Sequence, residues 1–85
     1  MVTFDYVMTD AAGMHARPAG QLAKQAMQFQ SKIMLQKGEK KTDMRRLIAV
    51  MSMGIQQGDT VKVTVEGSDE EQAAAQLAEF FKQNL

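Results

Sequence analysis

Thr60-Val61-Lys62-Val63-Thr64-Val65-Glu66 is the run that decides the architecture. Valines at every second position alternate with polar residues, and the run is rich in β-branched side chains, so it predicts a strand with one buried and one solvated face. Just beyond it, Ser68-Asp69-Glu70-Glu71 matches a capping box, with Ser68 at the cap and acids in the first turn where the helix dipole favours them. Ala74, Leu77, Ala78, Phe81 and Leu85 then follow helical spacing to the end of the sequence.

Upstream of the strand, Met44, Leu47, Ile48 and Met51 fall at i, i+3, i+4 and i+7, which predicts a short helix near residues 46–53. Asp43 is the expected cap, and Gly54 takes the C-cap position. Residues 31–37 put Ile33 and Leu35 on one face, and Lys37-Gly38-Glu39-Lys40 turns the chain into a short strand at 40–43. Ahead of that hairpin, Ala19, Leu22, Ala23, Ala26 and Met27 recur at helical spacing and Phe29 closes the run, giving a helix over roughly 16–27. Arg17, Gly20, Gln21 and Lys24 fall on its watered side. The first strand is marked by Val2, Phe4, Tyr6 and Met8, and Asp10-Ala11-Ala12-Gly13 breaks it into a loop. The order is β-α-β-β-α-β-α. Strands with one polar face need cover on the other side only, so the expected fold is α+β, an open-faced β-sandwich of four antiparallel strands with three helices on one face.

Eighty-five residues are expected to form one small domain, and 45% hydrophobic with 24% charged residues is ordinary for a globular chain. With no cysteine there is neither a disulfide framework nor a thiolate metal site, and with one histidine the usual zinc sets are excluded. Met8, Met27, Met44 and Met51 fall on apolar faces, which points to core or docking surface rather than soft-metal binding. The chain begins without the basic region and apolar run of a signal peptide and holds no stretch of membrane-spanning length, so cytoplasmic residence without membrane insertion is expected. No Gly-rich nucleotide loop occurs, and nothing beyond a basic middle speaks for nucleic acid. Eight of the ten Lys and Arg residues lie between 13 and 46, opposed there only by Glu39 and Asp43. Either these cations share the face of the histidine and attract acidic partners, or charges divided along the chain mix in space.

The chemistry is concentrated in Gly13-Met14-His15-Ala16-Arg17-Pro18-Ala19, which holds the only histidine and the only proline. Proline is tolerated in a first helical turn because the N–H it lacks would have had no partner. His15 is therefore expected just outside a helix N-terminus, where unpaired amides and the dipole stabilise an anion. The same field favours the neutral, nucleophilic imidazole, and Arg17 adds a charge-assisted contact. The segment reads as a phosphohistidine site. On the bland reading, His15 is a surface or capping residue before a helix.

Gly-Met-His-Ala-Arg-Pro-Ala with His at 15, together with Val-Met-Ser-Met-Gly-Ile at 50–55, resembles the histidine-containing phosphocarrier proteins (HPr) of the phosphoenolpyruvate-dependent sugar phosphotransferase system. The resemblance spans essentially the whole chain. It implies the same α+β sandwich and a carrier rather than a stand-alone enzyme, working without cofactor or metal. It also implies a cycle in which enzyme I, phosphorylated from phosphoenolpyruvate, passes the group to Nδ1 of His15, which donates it to sugar-specific enzyme IIA domains. By analogy the Ala16 and Arg17 amides and the Arg17 guanidinium hold the phosphoryl oxygens, with Pro18 opening the helix. The docking surface implied by matching positions is Arg17, Gly20, Lys24, Leu47, Ile48 and Met51. Leu47 and Met51 are otherwise read as completing the core. A shuttle is most simply a monomer.

Two departures from the family stand out. Where many Gram-positive relatives carry a regulatory serine at the start of the short helix, this chain has Arg46, which cannot accept that phosphate. Ser52 lies about 240° further round a helix of ~100° per residue and does not replace it. Ala12 stands where a polar residue is common near the ring. The rival reading is a regulatory paralogue that binds partners without carrying phosphate.

Overall fold

The computed structural model describes residues 1–85. Its elements are β1 (Val2–Val7), α1 (Ala16–Ala26), β2 (Lys32–Lys37), β3 (Lys40–Asp43), α2 (Leu47–Ser52), β4 (Thr60–Glu66) and α3 (Glu70–Asn84), in the expected order. The four strands form one antiparallel sheet in the order β1-β4-β2-β3. Since β4 runs antiparallel to both β1 and β2, those two are parallel to each other, and α1 is the crossover between them; α2 likewise crosses from β3 to β4. Such crossovers leave helices over a face of the sheet rather than at its edge.

The register shows why one face is dry. Phe4, Val63, Leu35 and Thr42 oppose one another in one line across all four strands, and Val63, Leu35 and Thr42 of that line are buried. The next line, Asp5, Lys62, Gln36 and Lys41, points the other way. Beneath the helices the sheet meets Ala19, Leu22 and Ala26 of α1 and Ala73, Leu77 and Phe81 of α3, all fully enclosed. Phe81 is the hub. Phe4, Tyr6 and Phe80 set their rings edge-on against it at centroid distances of 5.8, 5.4 and 6.5 Å.

Three local expectations are corrected. Asp43 does not cap α2, whose N-cap is Arg46 without a side-chain bond. The carboxylate instead accepts the Arg45 N–H at 2.9 Å and pairs with the Arg45 guanidinium at 3.1 Å, because β3 runs on to residue 43. Nor does Ser68 cap α3. That helix starts later, with Asp69 as N-cap, and only the reach-back half of the box forms, one residue early: Glu70 accepts the Gly67 N–H at 3.2 Å. Met27, placed on the apolar stripe of α1, is 64% exposed at the helix C-cap, where the last turn has already left the core.

Asp69 has a different task. Its carboxylate accepts the Gln30 N–H at 2.9 Å, the Ser31 N–H at 3.0 Å and the Ser31 hydroxyl, locking the start of α3 to the start of β2. The Ser31 hydroxyl first, and then the Gln30 amide, hold the Asp69 carboxyl below its ordinary value of 3.8. A depressed carboxyl stabilises the fold above that ordinary value, and the contribution is lost as pH falls through the depressed one. Thermal melts on Asp69→Asn are therefore expected to show a lower Tm at neutral pH and a smaller further drop below about pH 4 than the parent shows.

Candidate functional site

His15 occupies the N-cap of α1 with extended backbone, φ −86° and ψ −178°, and its imidazole makes no cap bond. Its carbonyl accepts the Ala19 N–H at 3.1 Å, the first bond of the helix, while its own N–H turns back to the Gly13 carbonyl at 3.0 Å. A helix N-terminus ordinarily leaves four N–H groups without intrahelical partners. Here His15 has spent one on Gly13 and Pro18 lacks another, so only those of Ala16 and Arg17 remain free. No acid occupies the first turn. His15, Ala16 and Arg17 are exposed and Pro18 is buried, and the Arg17 guanidinium pairs with no carboxylate. The result is a free imidazole beside two unpaired amides and one unpaired cation, a set that can hold a doubly charged tetrahedral anion bonded to the ring.

These groups open onto a shallow cleft of about 250 Å³, lined by Asp10, His15, Arg17, Pro18, Gln21 and Asn84. Asp10 and Asn84 have no signal in the sequence, and Gln21 could have been found only as the residue one turn beyond Arg17. Asp10 adds a carboxylate, one oxygen of which accepts the Ala12 N–H at 2.7 Å. The end of α3 buttresses this wall: the Leu85 main-chain oxygen accepts the Asp10 N–H at 2.7 Å and the Thr9 hydroxyl at 2.8 Å. From below, the Ile55 carbonyl takes the Met14 N–H at 3.0 Å. Gly13 is buried there at φ +67°, and a Cβ on it would strike the Ile55 carbonyl oxygen, so only glycine lets the two backbones touch.

α1 packs against α2, and the remaining candidate residues lie on these two helices. Ile48 is 73% exposed, with Leu47 at 37% and Met51 at 39%, so none of the three is enclosed in the core. An exposed apolar patch of this kind marks a contact surface. The basic middle is partly neutralised by acids that fold back on it, Asp59 on Lys37 and Asp43 on Arg45. Arg17, Lys24 and Arg46 stay exposed and unpaired. Gly20 is half-buried, yet a Cβ there meets nothing within 4 Å. No packing requires this glycine, and Gly20→Ala is expected to stabilise α1 by about 0.5–1 kcal/mol, read as a higher urea midpoint at unchanged slope.

Known proteins share this sequence pattern and fold. The sequence model of the family described as "PTS HPr component phosphorylation site" matches residues 2–83. The phosphocarrier protein HPr of Mycoplasma capricolum is 38% identical over 73 residues, 86% of this chain and 82% of that protein. That of Lysinibacillus sphaericus is also 38% identical, over 92% of this chain and 89% of its own. Among solved structures, HPr of Thermoanaerobacter tengcongensis superimposes with a TM-score of 0.91 at 34% identity, covering 96% of this chain and 92% of that one. Crh of Bacillus subtilis, a catabolite repression protein that crystallised as a swapped dimer, gives 0.78 at 28% identity over 100% and 98%. No helix is long and apolar enough to cross a membrane. The chain belongs to the HPr family, the phosphocarrier proteins of the phosphotransferase system, which are carriers and not enzymes.

Proposed function

We propose that this chain takes a phosphoryl group from phosphorylated enzyme I, ultimately from phosphoenolpyruvate, onto Nδ1 of His15 and passes it to sugar-specific enzyme IIA domains. The lone pair of Nδ1 attacks phosphorus, the donor's bond to phosphorus breaks, and its electron pair leaves with the donor. In the second transfer the His15 nitrogen is the leaving group. Catalysis of this kind rests on positioning and charge stabilisation rather than on covalent machinery. The observation that carries the reading is the pairing of an exposed, unbonded imidazole with the two orphan amides of Ala16 and Arg17. Ala16, Arg17 and Pro18 act through the helix start, the first two as donors to the phosphoryl oxygens and Pro18 by fixing the turn.

Both partners would use the α1–α2 surface in turn, through Arg17, Gly20, Lys24, Leu47, Ile48 and Met51. Its exposed apolar centre and unpaired cations suit acidic partner surfaces with an apolar core. The test is incubation with enzyme I, Mg²⁺ and phosphoenolpyruvate: one acid-labile, base-stable phosphate per chain is expected, and its discharge by an enzyme IIA domain completes the cycle.

The structural similarity to Crh favours one second reading, a regulatory protein that binds partners without carrying phosphate. An unlabelled protein that still binds such partners would support it. Arg46 bears on the regulatory branch of the carrier reading. It sits exposed at the α2 N-cap, and the nearest hydroxyl on that helix, Ser52, already donates to the Ile48 carbonyl at 2.8 Å. Incubation with ATP and the HPr kinase is expected to leave the chain unlabelled, whereas stoichiometric phosphoserine would remove this part of the proposal.

A further inference from the structure

One half-buried ion pair lies outside the cleft and the docking surface. Lys37 ends β2, and its ammonium donates to the Gly54 carbonyl at 2.9 Å while meeting a carboxylate oxygen of Asp59 at 2.8 Å. These two acceptors stand at opposite ends of the segment 54–59, which joins α2 to β4. The same Asp59 oxygen also accepts the Gln56 N–H at 2.8 Å, so one cation and one carboxylate draw the segment closed. The side chains are only 31% and 30% exposed, and the Lys37 bond holds the Asp59 carboxyl below its ordinary range.

What rests on that segment is the loop that delivers His15. Met8 donates to the Asp59 carbonyl at 2.9 Å and accepts from the Gly58 N–H at 2.8 Å, fixing where the loop leaves β1. At its far end Met14 donates to Ile55, and Gly13 lies so close that an added Cβ would come within 2.9 Å of the Gln56 Cα. The loop is therefore held at both ends by one short segment, and that segment is held at both ends by Lys37.

We infer that Lys37 is a positioning residue for His15: by bridging Gly54 and Asp59 it fixes the platform from which the imidazole is presented, an inference that rests on His15 being the phosphoryl acceptor. Lys37 touches neither the ring nor the cleft. It acts through the backbone of 54–59, and a displacement of about 1 Å at a reacting group is enough to cost up to ~10²-fold in rate.

Lys37→Met in the full-length chain tests this, with Asp59→Asn as a second variant that keeps the shape of the side chain and removes its charge. Amide exchange is expected to quicken about tenfold at Met14 and stay unchanged at Val63 in the centre of β4, as local opening requires. With enzyme I and phosphoenolpyruvate, kcat for phosphoryl uptake is expected to fall about tenfold at unchanged KM, because the docking surface is untouched. Equal quickening at Met14 and Val63, no change at Met14, or an undiminished kcat would each overturn the inference. The exchange measurement needs no phosphate, so a parent protein that takes up none removes the carrier reading and leaves that measurement standing.

Discussion

His15→Ala is expected to take up no phosphate from enzyme I and phosphoenolpyruvate, with its far-UV circular dichroism and melting curve matching the parent. The two halves of this result separate chemistry from structure. His15 is the only histidine and there is no cysteine, so no second imidazole or thiolate can stand in for it. The bonds that anchor residue 15, from its N–H to Gly13 and from Ala19 to its carbonyl, are backbone bonds that alanine keeps. Neither histidine nor alanine caps this helix through its side chain, so the change in stability is a few tenths of a kcal/mol at most. Residual labelling above background would place the acceptor elsewhere and sink the site.

Phe81→Ala is expected to have the opposite signature, a folding defect that leaves the chemical groups intact. The ring is fully buried and meets Phe4, Tyr6 and Phe80 edge-on, so its removal opens a cavity bounded by aromatic rings from both α3 and the edge strand β1. Such truncations cost about 3–5 kcal/mol. A domain of this size holds roughly 5–15 kcal/mol in total, and each kcal/mol moves Tm by about 4–8 °C. Urea unfolding at unchanged slope should therefore show a midpoint reduced by roughly a fifth or more. A loss below about 1 kcal/mol would mean that β1 and α3 close the gap between them.

What the sequence made legible follows from period. The alternation at 60–66 and the helical spacing of Leu22 with Ala26 and of Leu77 with Phe81 each write one face of an element, and in the structure those faces are the buried ones. Helix starts were less legible. Ser68 and Asp43 both satisfy the local rule for a cap, yet the Ser68 hydroxyl donates across to the Gln30 side chain, which only the fold brings near, and Asp43 takes the competing local bond from the Arg45 N–H. His15, Ala16, Arg17 and Pro18 could be found together because they are consecutive and Pro18 marks the helix start. Asp10 and Asn84 could not: they come from the two ends of the chain, and only the docking of α3 beside the loop brings them to one cleft. Lys37 reads locally as a hairpin residue, and nothing in its neighbours announces contact with Gly54, 17 residues away.

The strand order has a bearing on how the chain comes off the ribosome. β1 pairs with β4 alone, and β4 is inserted between β1 and β2, so β1 is made well before its one partner and waits for it. Until residue 66 has emerged, Val2, Phe4 and Tyr6 have no sheet to join, and the β2–β3 hairpin with its neighbouring helices is the only part free to assemble. A nascent chain stalled before that point carries β1 as an unpaired strand with one apolar face, the kind of edge that other incompletely folded chains pair with.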